Sequence, residues 1–152
     1  MLSNKKTDSC LVVNPNEKVA TYEEAYSCTS SPHITGPSAR CIFLLERADP
    51  SDGFQDNVVH YGQKVRFATN PYLQDRKMWL KSVPQSPMHH SPISHFQEVC
   101  VTNKECFDTV WEIEDLDPNT RFEANGEPVP ANGPILLKHA STCHFLASDT
   151  VE

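Results

Sequence analysis

The segment VVHYGQKVRFATN, residues 58–70, has a counterpart in EPVPANGPILLKH, residues 127–139. In each segment a glycine or an asparagine separates two short stretches in which apolar and polar residues alternate. Alternation with a period of two is typical of half-buried β-strands, and glycine and asparagine tolerate the positive φ of a sharp bend. The pattern therefore predicts two copies of one bent strand. The matching positions lie 70 residues apart: Val59 with Val129, Gly62 with Asn132, Val65 with Ile135, and Phe67 with Leu137.

The flanking segments repeat as well. FLLERADP (43–50) matches WEIEDLDP (111–118) at a separation of 68 residues, and MWLKS (78–82) matches HFLAS (144–148) at a separation of 66. A fainter third copy begins at LVVNP (11–15) and lacks a counterpart of the first half-strand. Repetition at nearly constant spacing indicates a fold that is built from like units.

These units predict an all-β fold. Each unit reads as four short strands, and closing such strands into a barrel removes exposed strand edges. Three units of this kind define a β-trefoil, in which three hairpins cap a short barrel. The chain is therefore expected to form a single β-trefoil domain with units at roughly 1–50, 51–118 and 119–152, and a polar N-terminal segment at 1–9. The third unit is expected to lack its last two strands.

Only one segment favours a helix. TYEEAY (21–26) begins with a capping box of Thr21 and Glu24, which supports one or two helical turns. Elsewhere proline interrupts nearly every segment, because the chain has 12 prolines.

The alternation of apolar residues also predicts the core. The predicted core consists of Leu11, Val13, Phe43, Leu45, Val65, Phe67, Leu80, Val99, Trp111, Ile113, Ile135, Leu137 and Leu146.

Length and charge exclude several functional classes. A chain of 152 residues predicts one domain, and its net charge of −7 counts against nucleic-acid binding, which needs clustered lysine and arginine. The segment MLSNKKTDSC, residues 1–10, is polar, so no secretory signal is expected. No apolar run approaches the roughly 20 residues of a membrane span. We therefore expect an intracellular chain with reduced cysteines and no membrane partner.

Histidine and cysteine side chains are the candidates for chemistry. His139, Cys143 and His144 lie close together in the sequence, but a cysteine nucleophile needs an oriented base and an oxyanion hole, and the pattern supplies neither. His139 is expected to lie at a strand end and to hydrogen-bond a backbone carbonyl. We expect an exposed loop for MHHSPISH (88–95), which holds three further histidines. Neither a catalytic nor a metal site is predicted.

Two carboxylates and a pair of cysteines are further candidates for chemistry. Glu112 and Glu114 share one face of a predicted strand and are expected to face solvent, opposite Trp111. Cys100 and Cys106 flank a predicted hairpin turn, where reduced thiols are favoured over a disulfide.

Several segments together resemble a known family. The tract NGEPVPANGPILLKH (125–139) follows the strand VWEIEDLDP (110–118) and the strand QEVCV (97–101). This combination resembles the MIR type of β-trefoil, and more narrowly the MIR-like cilia- and flagella-associated proteins of the doublet-microtubule lumen. The resemblance covers roughly residues 10–149. Its signature residues are Trp111, Gly126, Pro128, Val129, Pro130, Ala131, Asn132 and His139.

The resemblance implies a structural protein rather than an enzyme. Family members lie on the inner wall of the A-tubule in cilia and flagella, where they contact α/β-tubulin and neighbouring microtubule inner proteins and stabilise the axoneme. The same role and partners are expected here, with a location in the cytoplasm, cytoskeleton and axoneme and no cofactor. The loops expected to reach partners are 70–77, with Tyr72, Gln74, Arg76 and Lys77, and 84–94, with His89 and His90.

Two other functions stay open. MIR modules also occur in protein O-mannosylation enzymes and channel regulatory regions, which suggests a ligand- or glycan-binding module. Sugar-binding trefoils usually carry Gln-x-Trp, but no glutamine stands two residues before Trp79 or Trp111, and both are expected in the core. A hydrolase that uses Cys143 and a histidine is the third possibility.

Overall fold

The chain is predominantly β-structure in a computed structural model that describes residues 1–19, 24–32, 36–73, 75–87, 90–91 and 96–148. This confirms the predicted all-β class. The only helical elements within these residues are a 3₁₀ turn at Phe107–Thr109 and a four-residue helix α1 at Arg121–Ala124. The strands are β1 (Cys10–Lys18), β2 (Ala25–Ser31), β3 (Phe43–Arg47), β4 (Lys64–Thr69), β5 (Trp79–Ser82), β6 (Val99–Thr102), β7 (Trp111–Asp115) and β8 (Ile135–His139).

The strands form one antiparallel sheet. Its order is β1-β2-β6-β5-β4-β7-β8, and β3 pairs with β4 outside this path. Strand β4 is the centre of the arrangement, because it pairs with β3, β5 and β7. The described helices are all too short to cross a membrane.

Two hairpins of this sheet have the same register. In β3–β4 the facing residues are Phe43 with Thr69, Leu45 with Phe67, and Arg47 with Val65. In β7–β8 they are Trp111 with His139, Ile113 with Leu137, and Asp115 with Ile135. Each pair of the second hairpin lies 68 and 70 residues after its counterpart in the first, which are the separations found in the sequence.

The turn after each hairpin also recurs. The amide of Thr69 donates to the Met78 carbonyl at 2.8 Å, and the amide of His139 donates to the His144 carbonyl at 2.7 Å. The bend before the second strand of each hairpin recurs too, because Gly62 has a φ of 82° and Asn132 a φ of 60°. The predicted left-handed bend is therefore confirmed in both copies.

Some sequence predictions were wrong. The half-strand expected around Val59 and Tyr61 is reduced to an isolated bridge between His60 and Pro128, because the bend leaves too few residues for a ladder. The segment TYEEAY was expected to be helical, but Ala25 and Tyr26 begin β2, where they pair with β6. Thr21 lies outside the described residues.

The core is formed mostly by side chains of the strands, and it contains most of the predicted residues. Leu45 was wrongly placed there, because 41% of its surface is exposed on β3, which has a partner strand on one edge within the described residues. Tyr26, Met78 and Val101 were not predicted and are buried. The buried predicted residues are Val13, Val65, Phe67, Leu80, Trp111, Ile113 and Leu137, and those packed against them are Leu11, Phe43, Val99, Ile135 and Leu146.

Candidate partner-contact site

The loop at 70–77 begins with a turn that directs one aromatic side chain into solvent. The Asn70 side-chain oxygen accepts a hydrogen bond from the amide of Tyr72 at 3.0 Å, and the Asn70 carbonyl accepts one from Leu73 at 3.0 Å. Asparagine commonly closes such turns through its own side chain. Tyr72 is 93% exposed as a result, which leaves its ring free to contact a partner. Gln74 lies outside the described residues.

The two predicted cations of this loop differ in their environment. Arg76 is largely exposed and lies 3.3 Å from a carboxylate oxygen of Glu24. Lys77 instead pairs with Glu46 and has its ammonium 5.7 Å above the ring of Trp79. Arg76 can therefore exchange one surface ion pair for a partner, whereas Lys77 belongs to the frame that supports the loop.

Glu46 anchors that frame. Its carboxylate also accepts a hydrogen bond from the Trp79 indole nitrogen at 3.1 Å. Partial burial opposes ionisation of Glu46, but the hydrogen bonds from Lys77 and Trp79 outweigh it and lower the pKa of the carboxyl. The base of the loop is thus fixed by a charged and hydrogen-bonded cluster on β3 and β5.

The second predicted loop is described only in part. His90 is half-buried, and its Nδ1 lies 3.1 Å from the Ser91 carbonyl. The amide of Ser91 donates to the Phe96 carbonyl at 2.8 Å, and the ring of Phe96 is largely exposed. His89 and His95 lie outside the described residues.

The signature tract, residues 125–139, forms a turn that is hydrogen-bonded to residues 59–61 of the other copy. Gly126 has a φ of 89°, and its amide donates to the Tyr61 carbonyl at 2.8 Å. The amide of Val129 donates to the Val59 carbonyl at 2.8 Å, so the two first half-strands lie side by side. Pro130 accepts a bond from Gly133, and Ala131 and Asn132 are exposed at the tip.

Trp111 and His139 are buried and face each other at the end of the β7–β8 hairpin that is farther from this turn. Trp111 donates its indole N–H to the Leu80 carbonyl at 3.1 Å, and its ring centroid lies 4.9 Å from that of His139. Nε2 of His139 lies 2.8 Å from the Asp108 carbonyl, and Nδ1 lies 2.8 Å from the Thr142 hydroxyl. The predicted bond from this histidine to a backbone carbonyl is confirmed.

The arrangement around Cys143 does not assemble a nucleophile. Cys143 is exposed, while His139 is directed to Thr142 and His144 contacts the side chain of Gln97. None of the six cysteines, Cys100 and Cys106 included, forms a disulfide. Across the described ranges, no group of three or more histidine, cysteine or acidic side chains is arranged to hold a metal.

Two charged features were not found from the sequence. Glu112 and Glu114 were expected to face solvent, but both are half-buried and lie 2.8 Å from the ammonium of Lys138, which raises the pKa of that lysine. His60 is buried against Gly126 and Asp56. Opposite charges at facing positions of β7 and β8 could have indicated the first feature, but no local pattern indicates the second.

The described residues thus form an all-β frame in which Trp111 and His139 are buried and packed against each other. Residues 91–152 match the family model described as Cilia- and flagella-associated protein 161-like domain. This span includes β6, β7, β8 and the whole signature tract.

The similar curated proteins bear the same name. Cilia- and flagella-associated protein 161 of Bos taurus is 34% identical over 85 residues, which are 56% of this chain and 26% of that protein. The protein of that name from Mus musculus is 29% identical over 118 residues, 78% of this chain and 39% of its own length. The Danio rerio protein is 29% identical over 117 residues, 76% of this chain and 38% of its own length.

These matches confirm the resemblance to cilia- and flagella-associated proteins and indicate association with a cilium or flagellum. None of the three relatives is named as an enzyme. The chain spans between 26% and 39% of the length of these relatives.

Proposed function

We propose that this chain is a structural microtubule inner protein, which docks in the A-tubule lumen of the ciliary or flagellar doublet and stabilises the axoneme. The observation that carries the proposal is the match of residues 91–152 to the family model of a cilia- and flagella-associated protein. The partners in this proposal are α/β-tubulin and neighbouring microtubule inner proteins, and no reaction is required of the chain.

The proposed body is a MIR-like β-trefoil with units at roughly 1–50, 51–118 and 119–152. The support comes from the two hairpins of equal register, β3–β4 and β7–β8, which are joined because β4 also pairs with β7. A trefoil barrel contains such a run, because the last strand of each unit pairs with the first strand of the next. The recurring bend at Gly62 and Asn132 agrees with this arrangement.

In the proposed mechanism, rigid loops make many modest contacts with an ordered lattice. Because the chain has a net charge of −7, it has no general attraction to an acidic partner surface. Local complementarity between the two surfaces therefore has to provide the binding. Tyr72 and Arg76 suit this purpose, because both extend from a loop whose base is fixed by Glu46 and Trp79. Contacts with several neighbours at once raise occupancy through effective concentration.

Retention in demembranated axonemes tests the proposal. The tagged chain should remain with axonemes through a salt wash, and Tyr72→Ser or Arg76→Glu should lower the retained fraction several-fold without changing the thermal unfolding temperature. The reason is that Tyr72 is 93% exposed and Arg76 has one surface ion pair, so neither change disturbs the core.

Phe122→Ser is the matched control for the aromatic change, because Phe122 is also 93% exposed but lies on α1. Lys104→Glu, at another exposed cation, is the control for the charge change. A chain that washes out of axonemes entirely contradicts the proposal. Loss in Phe122→Ser alone contradicts the assignment of the contact to loop 70–77, and micromolar sugar binding on a glycan array would favour the ligand-binding MIR module instead.

A further inference from the structure

His60 is buried with both ring nitrogens facing hydrogen-bond acceptors. Its Nδ1 lies 2.8 Å from the Gly126 carbonyl oxygen, and its Nε2 lies 3.0 Å from each carboxylate oxygen of Asp56. The ring is stacked on Phe54, with 4.3 Å between the ring centroids and 17° between the planes. Only 7% of the surface of His60 is exposed.

This geometry selects one protonation state. A carbonyl oxygen and an ionised carboxylate can only accept, and a neutral imidazole carries a single N–H. Neutral His60 could therefore donate to Gly126 or to Asp56, but not to both, and the other contact would place a lone pair against an oxygen. The imidazolium donates to both acceptors at once.

The histidine joins two segments that are distant in the sequence. Asp56 lies in the loop before the bend at Gly62, and Gly126 begins the signature turn. Near His60, the amide of Tyr61 donates to the Glu127 carbonyl at 3.0 Å, and Gly126 donates to the Tyr61 carbonyl at 2.8 Å. The side-chain contact thus fastens the same two bends that the backbone bonds bring together.

The charges around His60 favour its cationic form. Asp56 and Glu127 are the acidic groups that act directly on the ring, and both raise its pKa. Arg47, the nearby cation, donates to the Asp56 carbonyl and lies 3.5 Å from Asp52. The charge of Arg47 is offset by Asp52. The side chain of Gln63 donates to Asp52 and accepts from the backbone amide of His60, so it links these two residues.

The pKa directions agree with this geometry. The hydrogen bond to Asp56, followed by the one to Gly126, raises the pKa of His60. The hydrogen bond from His60 in turn lowers the pKa of Asp56. Each shift means that the charged form of the residue is preferred in the folded chain.

We propose that protonated His60 is a pH-sensitive clasp that fastens the 52–57 loop to the signature turn at Gly126, and that loss of its proton loosens this turn. The clasp depends on the fold and not on the proposed function. Its contribution to stability is complete below the ordinary histidine pKa of about 6.5 and is lost as the pH rises through the higher pKa of folded His60. Asp56 adds a limit on the acid side, because its contribution is lost as the pH falls through its lowered pKa.

Nuclear magnetic resonance titration of the whole chain tests the clasp. The Cε1–H resonance of His60, assigned with His60→Gln, should titrate at a higher pH in the folded chain than in urea, and the amides of Gly126 and Glu127 should shift with the same midpoint. Asp56→Asn should lower that midpoint. Asp49→Asn is the matched control. It removes a carboxylate from the same connection between β3 and β4, and that carboxylate bonds to Ser51 and not to His60.

A His60 midpoint at or below its value in urea overturns the proposal, and so does a midpoint that Asp56→Asn leaves unchanged. Asp49→Asn lowering the midpoint as much as Asp56→Asn would also contradict it, because the effect would then come from general charge. If Asp56→Asn does not fold, the comparison of folded and urea-unfolded wild-type chains still decides the question.

Discussion

The hairpins β3–β4 and β7–β8 have one register and different burial. Trp111 and Ile113 of β7 are 1% and 3% exposed, whereas their counterparts on β3 are Phe43, which is half-buried, and Leu45, which is 41% exposed. The difference follows from the neighbours, because β7 lies between β4 and β8 while β3 pairs with β4 alone within the described residues. Equal register therefore does not give equal contribution to stability.

The faces of the two hairpins that lie opposite Phe43 and Trp111 differ as well. On β7 and β8 the facing pair is Glu112 and Lys138, and on β3 and β4 the equivalent pair is Leu44 and Ala68. Leu44 is 45% exposed, so β3 presents apolar side chains on both faces. A cleft of about 250 Å³ lies beside it, between Leu45 and residues 56–59. The first hairpin is thus the less completely covered of the two.

The largest expected difference is between Trp111→Ala and Phe43→Ala. Trp111→Ala should lower the free energy of unfolding by about 3–5 kcal/mol, because it empties a buried site and removes the bond to the Leu80 carbonyl. Phe43→Ala should cost about 1–2 kcal/mol, because less apolar surface returns to water. Equilibrium unfolding in urea measures both values. Equal losses would contradict the conclusion that β3 is the less covered strand.

A smaller effect is expected where the two copies use different residues for the same bend. Gly62→Ala should cost about 1–2 kcal/mol, because an alanine at a φ of 82° is strained. The added methyl would also meet the Asn125 side chain, which can rotate away. Asn132→Gly should change stability by about 0.5 kcal/mol or less, because glycine adopts positive φ without strain. Urea unfolding of both variants checks this.

The opposite ranking, with Asn132→Gly the more damaging change, would contradict the shared role of the two bends. It would indicate that the Asn132 side chain, and not its backbone conformation, is what the second copy requires.

The repeat could be predicted because its determinants are local. Alternation fixed which residues of 64–69 and 135–139 share a face, and Gly62 and Asn132 marked positions where only a few residue types avoid strain. Constant separations then related each residue of one copy to its counterpart in the other, and the register of the two hairpins has the same separations. No contact beyond the segment itself was needed for these predictions.

The errors concern properties that depend on distant neighbours. Leu45 has the pattern of a core residue, but its burial depends on what lies along the other edge of β3. Tyr26 has a helical context in the sequence and becomes β-structure because β6 pairs with it. His60 looked like the polar residue of an alternating strand, and its role emerges only when the chain brings Gly126 beside it.

A smaller loss than that of Gly62→Ala is expected for Lys138→Met, which leaves the side-chain stem in place and removes the charge between Glu112 and Glu114. The loss should be about 0.5–1 kcal/mol at low salt, since the three groups are partly exposed. It should shrink as salt rises, because salt screens both the lost attraction and the carboxylate repulsion that remains. Lys104→Met, at an exposed cation, is the control and should change stability little at any salt concentration. An unchanged free energy of unfolding in Lys138→Met at low salt would mean that the lysine stem, which methionine retains, and not its charge, stabilises the face of β7–β8 opposite Trp111, and the two hairpins would then differ in packing alone.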